Sequence, residues 1–338
     1  MRYDCQRERE AIVKRLLILS TLLLALAAQA EPQYIRVATF NIAQFGGGDE
    51  HERSLIGLTN ILLAANADLV CLQEIAPEKS GYDQVDRLVG LLNKASVFYR
   101  TPPYTAAVSH RYTGHETTAF LWRLPVALVT QIDLLNVPED PDNDGKPTFQ
   151  RVPAVGLFRA GNYDFYAVSC HLYTQVEGKS SEGRGAELSA LAEWLRATAR
   201  LPEHDAVVLG DFNRFLNGKT DWAQIMSPGC ERFYRFPLLE GIRNAVPNFD
   251  PARDEAPSET YSTTTSRRPS IYDQVLLSAG SYREFTNAPV FGQDVGIVRF
   301  DVDKQYEWFI QDWHAATAIL SDHRPVWIRL RIDLPDDD

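Results

Sequence analysis

Several short runs in this 338-residue chain end in side chains that a hydrophobic core would not select. "TFNIAQF" supplies Asn41, "LVCLQEI" carries Gln73 and Glu74, "VSCHLYT" delivers His171, "VLGDFN" ends in Asp211 and Asn213, and "SDHRPV" brings Asp322 and His323. Taken singly, most have a plain explanation. Asn41 and Asn213 suit turns in which the side chain bonds its own backbone. His171 fits a satisfied, half-buried histidine, Asp211 fits a turn opened after Gly210, and Asp322 fits a cap. Glu74 is harder to dismiss, because it closes a buried-looking run where a carboxylate needs a partner or a metal. Five strand-terminal polar sites together are less easily explained by turns than any one of them.

If these strands share a sheet edge, their ends converge into one acidic, imidazole-lined pocket. The chemistry that suits such a pocket is metal-assisted hydrolysis of a phosphate ester. Asn41, Glu74 and Asp322 offer hard oxygen ligands of the kind that hold Mg²⁺ or Mn²⁺ together with water and a phosphate oxygen. Asp211 and Asn213 would orient and deprotonate the attacking water, and His171 or His323 would act as acid or phosphate donor if held by a carboxylate. No Cys/His spacing suggests structural zinc. The absence of "GxSxG", P-loop and dinucleotide fingerprints weighs against serine hydrolases, kinases and dehydrogenases.

The elements that must position these residues alternate between β-rich runs and helical patterns. Strands are expected at "YIRVATFNI", "ADLVCLQEI", "TTAFLWRL", "VALVTQIDLL", "VPAVGLFRA", "DFYAVSCHL", "DAVVLGDF", "IYDQVLLS" and "PVWIRLRI". Helical spacing of Leu, Ile, Ala and Trp marks Glu52 to Ala65, Tyr82 to Lys94 and Ser181 to Arg200. So many strands and so few helices do not make a doubly wound parallel sheet. Two sheets face to face with helices outside accommodate the ratio better. Val246 to Ser270 is polar and proline-bearing and reads as a long surface loop. The aromatic runs "CERFYRFPLL" and "YEWFIQDWH" suit either the core or a cleft rim.

Composition sets the context. A hydrophobic content of 45% supports a real core, and no internal repeat or linker divides the chain. Basic residues before the apolar run "LLILSTLLLALA", followed by "AQA", read as an export signal over residues 1–30, with the catalytic domain at 31–338. The apolar run is too short for a stable bilayer anchor. A periplasmic or extracellular protein is expected. Residues 1–30 hold five basic and three acidic residues, which leaves the rest at −13 against −11 for the whole chain. Such a chain is a poor generic nucleic-acid binder, so a polyanionic substrate needs a local basic or metal-bearing groove. Of Cys71, Cys170 and Cys230, the first two sit in apolar runs and suit buried thiols; at most one disulfide can form.

"TFNIAQFG", "ADLVCLQEI", "SCHL", "VVLGDFN", "IYDQVLLSAG" and "SDHRPV", in this order, resemble the endonuclease/exonuclease/phosphatase superfamily. The resemblance runs from about Ile35 to Ile332 and implies a four-layered α/β/β/α sandwich of the deoxyribonuclease I-like kind. Within the superfamily the chain looks most like secreted pancreatic-type deoxyribonucleases. That likeness implies several roles. "HETTAFLWR" places Glu116 as the partner of His171, and "FQRVPAVGLF" places Arg151 on the phosphate. "TTTSRRPSIYDQVLLSAG" makes Asp273 the carboxylate that orients His323, with Thr264 a further phosphate contact. Asn213 joins Arg151 and Thr264 as a phosphate-binding residue. The implied enzyme is a monomer that uses Mg²⁺ or Mn²⁺ to cleave nucleic acid, DNA in the first instance.

Departures from the resembled nucleases bear on the substrate. Where those enzymes insert an arginine and a tyrosine into the DNA minor groove, this chain has Ala76 and Gly114, and their disulfide cysteines are absent. A lipid or small-molecule phosphodiesterase of the sphingomyelinase-like kind is the alternative, and a non-catalytic binding module is a remoter one. In "EDPDNDGKPTFQR", Asp140, Asp142 and Asp144 reproduce the first half of a calcium-loop spacing, where the resembled nucleases carry structural Ca²⁺. A solvated acidic turn fits the same residues. Arg267 and Arg268 suit either plain surface charge or a phosphate-backbone contact.

Overall fold

Residues on β1 (Tyr34–Phe45) alternate between two separate hydrophobic layers, and this alternation organises the molecule. Ile35 and Val37 pack with Phe158, Phe165 and Leu209, whereas Ala38, Phe40 and Ile42 pack with Leu58, Leu62 and Leu88. Both faces of the strand are therefore buried, which is why apolar residues fall at odd and even positions alike.

The computed structural model describes residues 31–47, 53–77, 79–109, 116–136, 148–173, 182–213, 234–250, 256–265, 270–304 and 313–336. Tyr34–Asp338 form one compact unit. The expected export signal, Gly114, Asp140, Asp142, Asp144, Cys230, Arg267 and Arg268 lie outside the described residues.

After β1 come α1 (Leu55–Ala65), β2 (Leu69–Ile75), α2 (Lys79–Tyr99), β3 (Thr105–Val108), β4 (Thr117–Trp122), β5 (Ala127–Leu128) and β6 (Asp133–Leu134). The second half brings β7 (Ala154–Ala160), β8 (Tyr163–His171), α3 (Glu182–Thr198), β9 (Ala206–Asp211), β10 (Tyr234–Arg235) and α4 (Pro237–Ala245). It closes with β11 (Asp273–Ser278), β12 (Val295–Ile297), α5 (Trp313–Ile319) and β13 (Val326–Arg331). One sheet has the order β12-β13-β1-β2-β4-β3; the other runs β10-β11-β9-β8-β7-β5, with β6 also on β7. Leu58 and Leu62 of α1 and Leu88 and Leu92 of α2 cover the first sheet. On the second, Leu188, Leu191 and Leu195 of α3 join the core, and Trp194 packs edge-on against Tyr166. The result is the α/β/β/α sandwich.

Local chemistry sets several boundaries. Helix α1 starts where the Ser54 hydroxyl accepts from the Gly57 N–H at 3.2 Å, and it ends on Asn66 in the left-handed region at φ 47°. The run "VALVTQIDLL" gives two short strands rather than one. Both Val129 and Thr130 donate to the Leu157 carbonyl, and the Leu157 N–H turns to the Thr130 hydroxyl at 3.2 Å, so the ladder is interrupted between β5 and β6. Helix α2 extends beyond the expected Tyr82 to Lys94 at both ends, and α4 begins at the end of the aromatic-rich stretch "CERFYRFPLL" and runs on past it.

The stretch from Val246 to Ser270 is not simply a surface loop. Ser262, Thr263, Thr264 and Thr265 are buried, and Thr264 pairs its backbone with His323. The cause is Arg324, whose fully buried guanidinium donates to the Glu259 and Ser262 carbonyls and pairs with Asp301 and Glu259. A buried cation needs this much compensation. Cys71 and Cys170 are buried free thiols, and no helix among the described residues is long and apolar enough to cross a membrane.

Candidate active site

Three strands of the second sheet place three chemical groups side by side. In the parallel pair β8–β9 His171 stands opposite Asp211, and in the antiparallel pair β9–β11 Asp211 stands opposite Asp273. Residues directly opposite one another share a face of the sheet. Asp211 Oδ2 lies 3.6 Å from His171 Nε2 and 3.5 Å from His323 Nε2. The far nitrogen of each imidazole meets its own carboxylate: Glu116 Oε1 is 2.5 Å from His171 Nδ1, and Asp273 Oδ2 is 2.8 Å from His323 Nδ1. Two carboxylate and imidazole pairs therefore converge on one buried aspartate.

The first sheet supplies the facing wall. Glu74 has φ +59°, a left-handed backbone rare for a side-chain-bearing residue, at an irregularity in register between Leu72 and Ile75. Its Oε1 accepts from Asn41 Nδ2 at 2.8 Å and its Oε2 from the Gln44 N–H at 3.1 Å. Asn41 Nδ2 also reaches Asp211 Oδ2 at 3.1 Å, while its Oδ1 takes the Ala43 N–H at 3.0 Å. As placed, Asn41 is a donor bridging two carboxylates rather than an oxygen offered to a cation. Turning the amide over to present Oδ1 would give up these bonds.

Electrostatics follow from this packing. Burial opposes charge on Asp211, but the two imidazoles, the Asn213 N–H and the Asn41 amide hold its carboxyl below the ordinary range. For His171, burial is outweighed by the Glu116 hydrogen bond and the Asp211 charge, so its pKa is raised. His323 is raised well above its ordinary value because Asp273 and Asp211 overcome its burial. Burial pushes the Asp273 carboxyl up to about 6 against the pull of His323.

A cleft of about 560 Å³ opens over these groups, lined by Glu74, Glu116, Arg151, His171, Asp211, Asn213, Asp322 and His323, with Gln44, Gly47, Ile75, Ala76 and Tyr272. Arg151 Nε is 3.2 Å from Glu116 Oε2, so one carboxylate serves both His171 and Arg151. Asn213, at φ 48°, donates its N–H to Asp211 Oδ1 at 2.7 Å and its side-chain amide to the Leu172 carbonyl at 2.9 Å. Asp322 is exposed at the rim. Thr264 is placed differently from the expected phosphate contact: it is buried, its hydroxyl faces Ser262 at 3.3 Å, and it is not among the cleft-lining residues.

The carboxylates of the cleft, Glu74 first among them, fit a hard divalent cation. Glu74, Glu116 and His171 bring ligand atoms within 4.8 Å of one another, as do Asp211, Asp273 and His323. Glu74 and Asp322 add carboxylate charge on the cleft side, where Arg151 is the one Lys or Arg among the lining residues. Oxygen-rich, anionic surroundings of this kind suit Mg²⁺ or Mn²⁺ rather than a thiolate-seeking metal.

Some participants carried weak sequence signals. Gln73 accepts from the Thr39 hydroxyl at 3.0 Å and donates to Ser169 Oγ at 2.9 Å, linking the two sheets beneath the cleft. Glu187 is buried in α3 beside Leu188, Leu191 and Leu195, and a carboxylate on that apolar stripe was the available clue.

The model of the endonuclease/exonuclease/phosphatase family matches residues 38–323. No curated protein matches significantly. Among solved structures, an endonuclease/exonuclease/phosphatase family protein from Bacteroides thetaiotaomicron is 15% identical, with TM-score 0.52, 90% of this chain and 100% of that chain covered. The human Nocturnin catalytic domain with bound sulfate anion is 15% identical, with TM-score 0.51 and coverage of 89% and 97%. D. rerio TDP2 complexed with single-strand DNA product is 13% identical, with TM-score 0.52 and coverage of 88% and 99%. At such identities the likeness is one of fold.

Proposed function

This chain belongs to the endonuclease/exonuclease/phosphatase family of metal-dependent phosphoester hydrolases, and from that premise we propose that it is an exported phosphodiesterase hydrolysing nucleic acid with Mg²⁺ or Mn²⁺. The observation that carries the reading is Asp211, held ionised between two imidazoles that each have a carboxylate behind them. Asp211 and Asn213 orient the attacking water, and Asp211 takes its proton. His171 and His323, kept cationic and correctly turned by Glu116 and Asp273, donate to the phosphate oxygens and protonate the leaving group. Arg151 binds a non-bridging oxygen. Glu74 would hold the cation, with Asp322 and, once its amide is turned, Asn41 as further oxygen donors, and such an ion would supply charge neutralisation on the phosphate.

Nucleic acid as substrate draws support from D. rerio TDP2, a relative in fold that binds single-strand DNA product. One observation favours a second reading, a lipid or small-molecule phosphodiesterase: Ala76 lines the cleft where an inserted arginine would grip duplex DNA. The test incubates pure protein with plasmid, linear duplex, single-stranded DNA, RNA and sphingomyelin, with metal or EDTA. Metal-dependent cleavage of a nucleic acid supports the first reading. Phosphocholine release from sphingomyelin with all nucleic acids intact establishes the second. Export rests on residues 1–30, and N-terminal sequencing of the mature protein from periplasm or medium tests it.

A further inference from the structure

We propose that Glu187 is a positioning residue: from helix α3 its carboxylate clamps the two backbone segments that present Arg151 and His171. The proposal rests on the reading of the cleft given above for its kinetic consequence, but the clamp itself is a matter of backbone structure.

Glu187 is 1% exposed, on a helix stripe otherwise filled by Leu188, Leu191, Ala192 and Leu195. Packing alone would be served by an apolar side chain, because a buried ionisable group carries a desolvation cost. Its contacts give the reason for it. Glu187 Oε1 accepts from the N–H of Gln150 at 2.9 Å, the residue just before Arg151. Its Oε2 accepts from the N–H of Tyr173 at 2.6 Å, two residues after His171. These are the entry to β7 and the exit from β8, neighbouring antiparallel strands.

Between the two clamped amides lies a shared acceptor. The Leu172 carbonyl receives the Arg151 guanidinium at 3.5 Å and the Asn213 side-chain amide at 2.9 Å. Glu187 thus fixes the chain beside both Arg151 and the carbonyl that Arg151 shares with Asn213. Burial pushes the Glu187 carboxyl up to about 7, while the two N–H donors, Arg151 and His171 draw it back down, so both cleft cations lie within its electrostatic reach.

The geometry calls for a carboxylate in particular. Two N–H donors need two acceptors, and glutamate, once ionised above about pH 7, is acceptor-only on both oxygens. Glutamine keeps the shape but turns an NH₂ toward one of the two N–H groups. Alanine leaves both amides unpaired.

The test compares Glu187→Gln, Glu187→Ala, Arg151→Ala and the Glu187→Gln/Arg151→Ala double variant in the full chain. Glu187→Gln is expected to melt within a few degrees of wild type and to lose about tenfold or more in kcat/KM, because small misplacements of binding groups are costly. In the Arg151→Ala background the same change is expected to cost clearly less than in wild type, the remainder being its effect through the His171 segment, since residues acting through one another are not additive. A double variant whose loss equals the product of the single losses would overturn the proposal. Hydrogen exchange gives a readout independent of turnover: the amides of Gln150 and Tyr173 exchange faster in Glu187→Ala, beyond any change in the rest of α3. Unchanged exchange at both amides would remove the clamp. Wild-type protein inactive on every substrate, with faster exchange at both amides, would instead overturn the functional reading and leave the clamp standing.

Discussion

Asp211 Oδ2 faces His323 Nε2 across 3.5 Å, with Asp273 closing the far side of the imidazole. A buried aspartate is thereby kept charged by a cation that it helps to create, and each group's ionisation depends on the other. Replacing Asp211 should show both halves of this dependence. Asp211→Asn is expected to lower the rate by about 10²-fold or more and to bring down the pKa of both His171 and His323. Histidine NMR titration reads the second effect; imidazole values unmoved from wild type would mean that Asp211 does not govern them.

Stability should carry the signature of the same histidines. A raised folded-state pKa favours the imidazolium in the native protein. For His323, and in the same sense for His171, the stabilisation is full below their ordinary value of 6.5 and is lost as pH rises through the folded value. In EDTA the melting temperature should therefore fall as pH climbs from about 6.5. His323→Asn should flatten that slope. Added Mg²⁺ should raise the melting temperature more at the alkaline end, where no imidazolium competes with the cation. An equal gain at all pH values would separate metal binding from histidine protonation.

Glu74 is the residue whose loss should abolish metal stabilisation. A ligand binding the native state at 100 times its Kd stabilises by about 2.7 kcal/mol. Wild-type protein is expected to melt higher in Mg²⁺ or Mn²⁺ than in EDTA, and Glu74→Gln to lose most of this difference. Thermal unfolding with a metal titration measures it. A full metal response in Glu74→Gln would place the ion elsewhere.

Arg151 lies against Glu116, which also holds His171. Arg151→Lys retains charge but not the planar set of donors. It is expected to raise KM about tenfold or more, with the His171 titration little changed. Glu116→Gln should act chiefly on kcat and lower the His171 pKa, because it removes the charge behind the ring. Matching kinetic and titration effects in the two variants would contradict this division of labour.

Much of the site was legible because the chemistry sits at strand ends. Runs such as "VVLGDFN" and "VSCHL" announce a buried strand and then stop on a polar group, and the register of β8, β9 and β11 aligns those groups. Asn41 was legible as a participant but not as a donor, since amide orientation depends on which carboxylates face it. Thr264 showed only a polar type in a polar stretch; what buries it is Arg324, distant in sequence and neutralised by Asp301 and Glu259. Glu187 was signalled only by its place on the apolar stripe of α3, because a helical glutamate usually faces water and only the tertiary structure brings Gln150 and Tyr173 to it. The split of "VALVTQIDLL" rests on a hydroxyl replacing a ladder bond, which strand periodicity does not encode.

The row His171, Asp211, Asp273 crosses three neighbouring strands in direct register. A sheet's side chains alternate between faces with a period of two, so a slip of one residue in β9 would turn Asp211 to the opposite face while moving its neighbours out of line. Active-site assembly is therefore quantised along the strand: no small displacement yields a slightly worse site, and the next available pairing yields none. Chain pairing itself proofreads the site: a molecule that has closed this sheet correctly has already aligned Asp211 with His171 and with Asp273, the carboxylate behind His323.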